Sequence, residues 1–175
     1  MSPWVPLPVL IPLLAAAAGL VAHRWPRLQG WIALWASVGH TVASLTLLAT
    51  VRRRGLLVTQ LGAWPAPHGV AFVADLFSSA MVCAASVLGL AVVVYAMAGV
   101  DRRRRAFGFQ PLVQVLMAGA CGALLTSDLF NLFVWFEVML IASFVLMALG
   151  GTRAQLEGAT KYVTLNLLAS TFLLC

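Results

Sequence analysis

The stretch from Leu125 to Gly150, LTSDLFNLFVWFEVMLIASFVLMALG, decides how this sequence is interpreted. It is apolar and long enough for a membrane-spanning helix, which takes roughly 20 residues. Glu137 lies near its middle, between Phe136 and Val138. An ionised carboxylate at the centre of a bilayer costs at least about 2.5 kcal/mol, so an acid at this depth usually has a function. Glu137 is therefore a candidate proton-relay residue, and a structural hydrogen bond to a neighbouring helix is the alternative.

The composition of the whole chain indicates the same class of protein. Of the 175 residues, 62% are hydrophobic and only 9% are charged, whereas soluble domains are near 25% charged. The sequence therefore predicts an all-α integral membrane protein. The net charge of +6 comes from short basic clusters between apolar runs. This pattern is typical of the loops that set membrane topology, so it does not indicate nucleic-acid binding.

The sequence contains no motif for a cofactor, a metal or covalent chemistry. It has no phosphate-binding glycine loop, nucleophile motif or metal-ligand spacing. Cys83, Cys121 and Cys175 lie in separate apolar runs without a CxxC pair, which predicts small packing residues and no disulfide framework. No basic residue precedes the first apolar run, so no secretory signal peptide is expected.

Apolar runs and turn signals predict about six transmembrane helices. Three cover residues 5–22, 31–51 and 72–99, a fourth follows Pro111, a fifth carries Glu137, and a sixth runs from Leu156 to the end of the sequence. The turn-rich stretch LGAWPAPHG at 61–69 interrupts the pattern, and its Trp64 is expected at the membrane–water interface.

Three further features have predicted structural roles. Asp75 is expected to cap the start of the third helix, where an acid complements the helix dipole. His40 is expected to hydrogen-bond a neighbouring helix, because nothing near it in sequence supports a proton relay. The run AGACGA at 118–123 spaces small residues four apart, as in Ala118 and Gly122, and so predicts close approach of a second helix.

The basic loops predict the topology. With the N-terminus outside, seven arginines lie in cytoplasmic loops and three, Arg52–Arg54, lie outside. The excess of arginine inside favours this orientation. We expect two parts: residues 1–107 with the first three helices and an extracytoplasmic loop at 55–70, and residues 108–175 with the other three.

Lys161 is the second candidate residue of an ion pathway. It follows Glu157 by four residues, which favours a local salt bridge near the cytoplasmic surface. The alternative makes Lys161 part of a proton path towards Glu137. The two residues differ in depth by about 12 Å at a helical rise of 1.5 Å per residue, so direct pairing is not expected. Polar residues of the same helix, Thr160 with Thr164 and Asn166 with Ser170, either join helices or line a hydrated path.

Three stretches resemble a known family: LGAWPAPHGVAFVADLFSSAMV, GACGALLTSDLFNLFVWFEVMLIASFVLMALGG and KYVTLNLLAS. They are similar to the D-type subunits of Mrp-type multisubunit Na+/H+ antiporters, which have relatives in respiratory complex I and membrane-bound hydrogenases. The resemblance implies a bundle of about 14 helices with inverted repeats. It also implies that Glu137 pairs with a lysine on a later helix, beyond Cys175. The chain is thus expected to be the N-terminal third of such a protein.

The resemblance implies a membrane subunit of a cation/proton antiporter complex in a prokaryotic cell membrane. It would translocate protons coupled to Na+ export, use no cofactor, and have other membrane subunits as partners. One alternative is a proton-pumping subunit of a complex I-like or hydrogenase assembly, which would give it a place in an NADH-quinone oxidoreductase-like enzyme. The other is an assembly subunit that transports nothing.

Overall fold

The structure, a computed structural model, describes residues 4–60 and 69–174. Residues 61–68, which include Trp64, and Cys175 lie outside the described residues. Within the described ranges the chain forms seven helices and two strands. In chain order these are α1 (Leu7–Val21), α2 (Pro26–Arg54), β1 (Leu57–Gln60), β2 (Ala71–Ala74), α3 (Leu76–Gly99), α4 (Arg102–Ala106), α5 (Phe109–Leu125), α6 (Leu129–Ala148) and α7 (Arg153–Leu174).

The predicted helical membrane fold with about six long helices is confirmed, the long helices being α1–α3 and α5–α7. Among the described helices, α2, α3 and α6 are long and apolar enough to cross a membrane, and α1 and α5 are shorter apolar helices. The 22-residue α7 is more polar because its first turns carry Arg153, Glu157 and Lys161. Large apolar side chains on the outside of the bundle, such as Leu88 and Tyr95, suit a lipid environment.

The third helix begins later than the sequence predicts. Phe72, its predicted start, lies in β2, because residues 71–74 pair with β1 in an antiparallel register that sets Thr59 opposite Phe72. The helix starts after Asp75, whose carboxylate accepts a 2.6 Å hydrogen bond from the Ser78 N–H. The Ser78 hydroxyl oxygen in turn accepts from the Asp75 N–H at 3.0 Å. This capping box confirms the role predicted for Asp75.

Other boundaries also differ from the prediction: the fourth long helix begins at Phe109, before Pro111, and the sixth begins at Arg153 instead of Leu156. The second helix covers Pro26–Arg54 instead of residues 31–51. Proline suits a first helical turn, where its missing N–H leaves no donor unpaired, and the three arginines at the other end complement the helix dipole. The arginine run predicted as a loop forms the short helix α4.

The hairpin of β1 and β2 closes one end of the bundle beside the start of α6. Phe72 is only 2% exposed and joins a buried apolar cluster that includes Leu47, Val82 and Leu125. Its ring centroid lies 6.1 Å from that of Trp135 on α6. The carbonyl of Ala71 accepts hydrogen bonds from the Ser127 hydroxyl at 3.0 Å and from its N–H at 3.3 Å. The hairpin thereby fixes the turn that leads into α6.

Polar side chains join α2 to α5 inside the bundle. The Gln114 amide donates to the Ser37 hydroxyl at 2.9 Å and to the Ala33 carbonyl at 3.2 Å. His40 Nε2 lies 3.4 Å from Cys121 Sγ, and both residues are buried. The helix–helix hydrogen bond predicted for His40 is therefore confirmed. On the other side of α5 lies α6, and α7 packs against α6.

Candidate functional site

The local sequence fixes where α6 begins. The Asp128 carboxylate caps the helix by accepting a 2.6 Å hydrogen bond from the Asn131 N–H. The Asn131 side chain then donates to the Thr126 hydroxyl at 2.8 Å. The second bond spans the tight turn between α5 and α6, and the two helices pack against each other. Glu137 follows nine residues after the cap, in the middle of the 20-residue helix.

Small residues of α5 set the rotation of α6 about its own axis. A Cβ added at Gly119 would lie 3.1 Å from the Met139 backbone nitrogen, and one added at Gly122 would overlap the Trp135 ring. Ala118 and Gly122 are both buried, so the close approach predicted from AGACGA is confirmed. At 3.6 residues per turn, Glu137 lies on the opposite side of α6 from Trp135, whose ring packs on Gly122. Its side chain therefore faces away from α5.

Glu137 instead lines a cavity of about 250 Å³ between α6 and α7. Its lining combines polar groups with an apolar wall, and the polar members are Glu137, Tyr162, Asn166 and Ser170. The glutamate is half-buried. Its Oε1 atom is buried, and no group in the described part of the chain hydrogen-bonds to it. An unpartnered buried carboxylate oxygen is costly, so this atom requires a proton, water or a cation beside it.

The two polar pairs of α7 separate in the structure. Asn166 and Ser170 face the Glu137 cavity. Thr160 and Thr164 are exposed, and their hydroxyls donate to backbone carbonyls of their own helix at 2.8 Å and 2.9 Å. Asn166 and Ser170 also donate to carbonyls of α7, at 2.8 Å and 3.3 Å. Their place in the cavity lining is therefore what suits them, and not the threonines, to a hydrated path.

Tyr162 is a member of the site that the sequence prediction missed. It lines the same cavity, and its hydroxyl lies 3.2 Å from the Ser143 hydroxyl of α6. Tyr162, Asn166 and Ser170 recur every four residues, which places them on one face of α7. That spacing was the available signal, but the adjacent Lys161 is the more conspicuous polar residue.

The structure does not bring Lys161 to Glu137. Lys161 is exposed and lines a separate surface hollow with Glu157 and Thr160. The predicted local pairing with Glu157 is not the one formed, because Glu157 pairs with Arg153 at 3.7 Å. The loop before α7 supports this arrangement: Gly151 has a positive φ of 67°, and the Gln155 N–H donates to the Thr152 hydroxyl oxygen at 3.3 Å.

In residues 4–60 and 69–174, no three His, Cys, Asp or Glu side chains are grouped so that they could hold a metal ion. The candidate site is a single protonatable carboxyl group beside a largely apolar cavity that contains a few polar groups. Such a group can take up and release a proton without any covalent intermediate.

No family model matches the chain. The chain is similar to the D-type Na(+)/H(+) antiporter subunit of Alkalihalophilus pseudofirmus, with 43% identity over 170 residues, 97% of this chain and 34% of that protein. The protein of the same name from Bacillus subtilis is 39% identical over 170 residues, again 97% of this chain and 34% of that protein. The chain therefore spans about a third of the length of these relatives.

Solved structures show the same fold. A chain of the Mrp complex from Dietzia sp. DQ12-45-1b matches with a TM-score of 0.87 and 34% identity, over 99% of this chain and 33% of that one. A chain of the membrane-bound sulfane sulfur reductase, an archaeal respiratory membrane complex, matches with a TM-score of 0.91, over 98% of this chain and 35% of that one. Its identity of 23% supports the shared fold alone.

The bacterial relatives and the apolar helices identify a multi-pass protein of a prokaryotic cell membrane. The identities of 43% and 39% extend over nearly the whole chain. A chain of the Mrp complex has the same fold over 99% of this chain. The chain matches the N-terminal third of the D-type subunits of Na+/H+ antiporters, and it shares its fold with the same part of a chain of an Mrp complex.

Proposed function

We propose that this chain forms part of a membrane subunit of a cation/proton antiporter complex, in which Glu137 takes up and releases the transported proton. Na+ is the proposed counter-ion, because the relatives are named Na(+)/H(+) antiporter subunits. Other membrane subunits of a multisubunit complex are its proposed partners. The observation that carries the proposal is the buried, unpartnered Oε1 of Glu137 beside a cavity whose largely apolar lining also includes Tyr162, Asn166 and Ser170.

The cavity suits proton transfer to and from this carboxyl group. A volume of about 250 Å³ has room for several waters, since each takes about 30 Å³. Such waters would have Glu137, the Tyr162 hydroxyl and the Asn166 amide as polar partners. A proton that arrives along these waters neutralises the Glu137 carboxylate. The neutral carboxyl group is then compatible with the apolar wall of the cavity. Loss of the proton restores a charge that attracts a cation, and the family resemblance implies a lysine on a later helix for that role.

Lys161 has a different proposed place on the path. It is exposed in a neighbouring hollow, so it is not the direct partner of Glu137. We propose that its charge acts at the surface, where protons reach or leave α7. Its replacement by alanine is then expected to reduce transport less than a change at Glu137.

The test replaces Glu137 in the native gene and measures Na+-dependent proton movement in everted membrane vesicles. Glu137→Gln keeps the size of the side chain but cannot ionise, so transport is expected to be lost at an unchanged membrane content of the complex. Glu137→Asp keeps the charge on a shorter stem, so partial activity with a shifted pH optimum is expected. Glu137→Ala is expected to assemble and to be inactive.

Glu157→Gln is the matched control. It makes the same change on α7, where the Glu157 side chain is 62% exposed and forms only the local pair with Arg153. We expect it to keep transport near the wild-type level, because an exposed pair of this kind contributes at most about 1 kcal/mol to stability. If Glu137→Gln transports as well as Glu157→Gln does, Glu137 is a structural residue and the proposal fails.

A further inference from the structure

A basic cavity lies at the end of the bundle where α1 meets α2 and α3 leads into α5. It has a volume of about 740 Å³ and is lined by Arg24, Trp25, Pro26, Arg27, Arg105 and Ala106. A smaller cavity of about 100 Å³ adjoins it and shares Pro26, Arg27 and Arg105. The smaller cavity continues between the helices, past Trp31 to the buried Gln110. Together they form a groove from the bundle end towards the membrane-spanning region.

The lining of this groove is basic, and the exposed Asp101, one helical turn before Arg105, is the acid next to it in sequence. Three guanidinium groups line it, and neither cavity has an acidic residue in its lining. The ion pair within 4.0 Å in the described part of the chain joins Arg153 to Glu157 on α7, and so it involves none of these three arginines. Arg24 and Arg27 are exposed, so they can reorient towards a ligand.

Arg105 is the fixed member of the three. Its Nη2 donates to the Met97 carbonyl at 2.7 Å, which holds the side chain across the end of α3. Its Nε is buried, and none of the described residues accepts a hydrogen bond from it. Gln110, in the same small cavity, has a buried Oε1 that is likewise unpartnered among these residues. A charged donor left unpaired costs free energy, which an oxygen-bearing ligand or a water would recover.

The surroundings of the arginines are apolar and face outward. Trp25 is 66% exposed and Trp31 is 53% exposed. Tryptophan is enriched at the level of lipid headgroups, where its ring meets acyl chains and its N–H meets polar groups. Arginine binds phosphate oxygens through two parallel N–H donors. A ligand that satisfies both halves of this groove carries a phosphate at one end and hydrocarbon at the other.

We propose that this groove binds an anionic phospholipid, with its phosphate between Arg24, Arg27 and Arg105 and its acyl chains along Trp25 and Trp31. Basic pockets between membrane helices at the cytoplasmic face are suited to anionic headgroups, and the predicted topology puts this end of the bundle in the cytoplasm. The lipid would tie the α1–α2 turn to the end of α3. This site is separate from Glu137, so it stands independently of the transport mechanism.

The experiment compares phospholipids on the complete complex purified in detergent. Wild-type complex is titrated with phosphatidylglycerol, with phosphatidylcholine and with inorganic phosphate, and bound lipid is measured by native mass spectrometry. The test variant is Arg24→Gln/Arg27→Gln/Arg105→Gln. The matched control is Arg52→Gln/Arg53→Gln/Arg54→Gln, which removes the same charge at the opposite end of α2.

We expect phosphatidylglycerol to bind the wild type and the control variant equally. The test variant should lose affinity by on the order of a hundredfold, at about a factor of five for each arginine near a membrane surface. If the triple variant does not assemble, the double variant Arg24→Gln/Arg27→Gln is tested instead, because both side chains are exposed. Its affinity for the lipid is expected to fall about 25-fold, at the same factor for each arginine.

Three outcomes would each overturn the proposal. Equal binding of phosphatidylcholine would mean that hydrocarbon alone fills the groove. Competition by inorganic phosphate at the same concentration as the lipid would indicate a plain anion site. Unchanged lipid binding by the test variants, or none by the wild type because another subunit covers the arginines, would mean that this groove is not a lipid site.

Discussion

Gly119 is the position at which packing between α5 and α6 can be tested most sharply. In Gly119→Ala, the added Cβ would lie 3.1 Å from the Met139 nitrogen and 3.2 Å from its Cα, whereas carbon atoms in ordinary contact are about 3.5–4.0 Å apart. Both neighbours are backbone atoms, so no side chain can rotate out of the way. The helix that carries Glu137 must therefore move by a few tenths of an ångström.

The expected net effect is destabilising. Overpacking costs about 1–3 kcal/mol, and replacing a helical glycine by alanine returns about 1 kcal/mol of helix propensity. The difference is about 0–2 kcal/mol, which corresponds to a fall in Tm of roughly 2–4 °C per kcal/mol for a domain of this size. This shift is measured by heating the purified protein and monitoring the loss of the monodisperse species as it unfolds.

Gly158→Ala is the matched control, because a Cβ at that helical position meets nothing within 4 Å. It should keep the full propensity gain of about 1 kcal/mol and raise the Tm. If Gly119→Ala were as stable as Gly158→Ala or more so, the close backbone contact between α5 and α6 would not exist. The contact with α5 would then not be what turns Glu137 towards α7.

Three other predictions concern the cap of α3, the topology and the cavity. The Ser78 N–H bonded to the Asp75 carboxylate lowers its pKa below the ordinary 3.8, so its stabilisation is complete above that pH and is lost as pH falls through the lower folded-state value. Asp75→Ala should cost about 1 kcal/mol at neutral pH, whereas Asp75→Asn should retain the cap and unfold without this acid dependence in a pH series of thermal melts. Single cysteines at Arg53 and Arg104, in a background without the native cysteines, should react with an impermeant reagent in intact cells at position 53 and not at 104, and the reverse pattern would invert the predicted topology. Tyr162→Phe, which removes one hydroxyl from the cavity, should lower vesicle transport less than Glu137→Gln does, and an unchanged rate would exclude this hydroxyl from the path.

The sequence by itself determined the class of protein, the approximate helices and the central acid. These follow from local properties: apolar runs long enough for a bilayer, and a charge whose cost in hydrocarbon is independent of the rest of the fold. The caps at Asp75 and Asp128 are local too, because each carboxylate bonds the N–H three residues later. Because these signals are local, only a few of the helix boundaries predicted from the sequence differ from the structure.

The hairpin depended on tertiary structure. Its strands have four residues each and lie apart in sequence, at 57–60 and 71–74. The second strand is apolar and runs directly into the α3 cap, so its residues resemble the start of a helix when they are considered alone. Only the pairing with β1 and the burial of Phe72 against Trp135 distinguish a strand from a first helical turn.

The tertiary structure also decided which polar residues share a cavity with Glu137. Lys161 and Tyr162 are neighbours in sequence, yet they point about 100° apart around α7. The contact of α7 with α6 directs Tyr162 and Asn166 to the glutamate and leaves Lys161 exposed. Residue spacing gives the faces of a helix, but the face that meets its neighbour is set by packing between side chains distant in sequence, such as Ser143 with Tyr162.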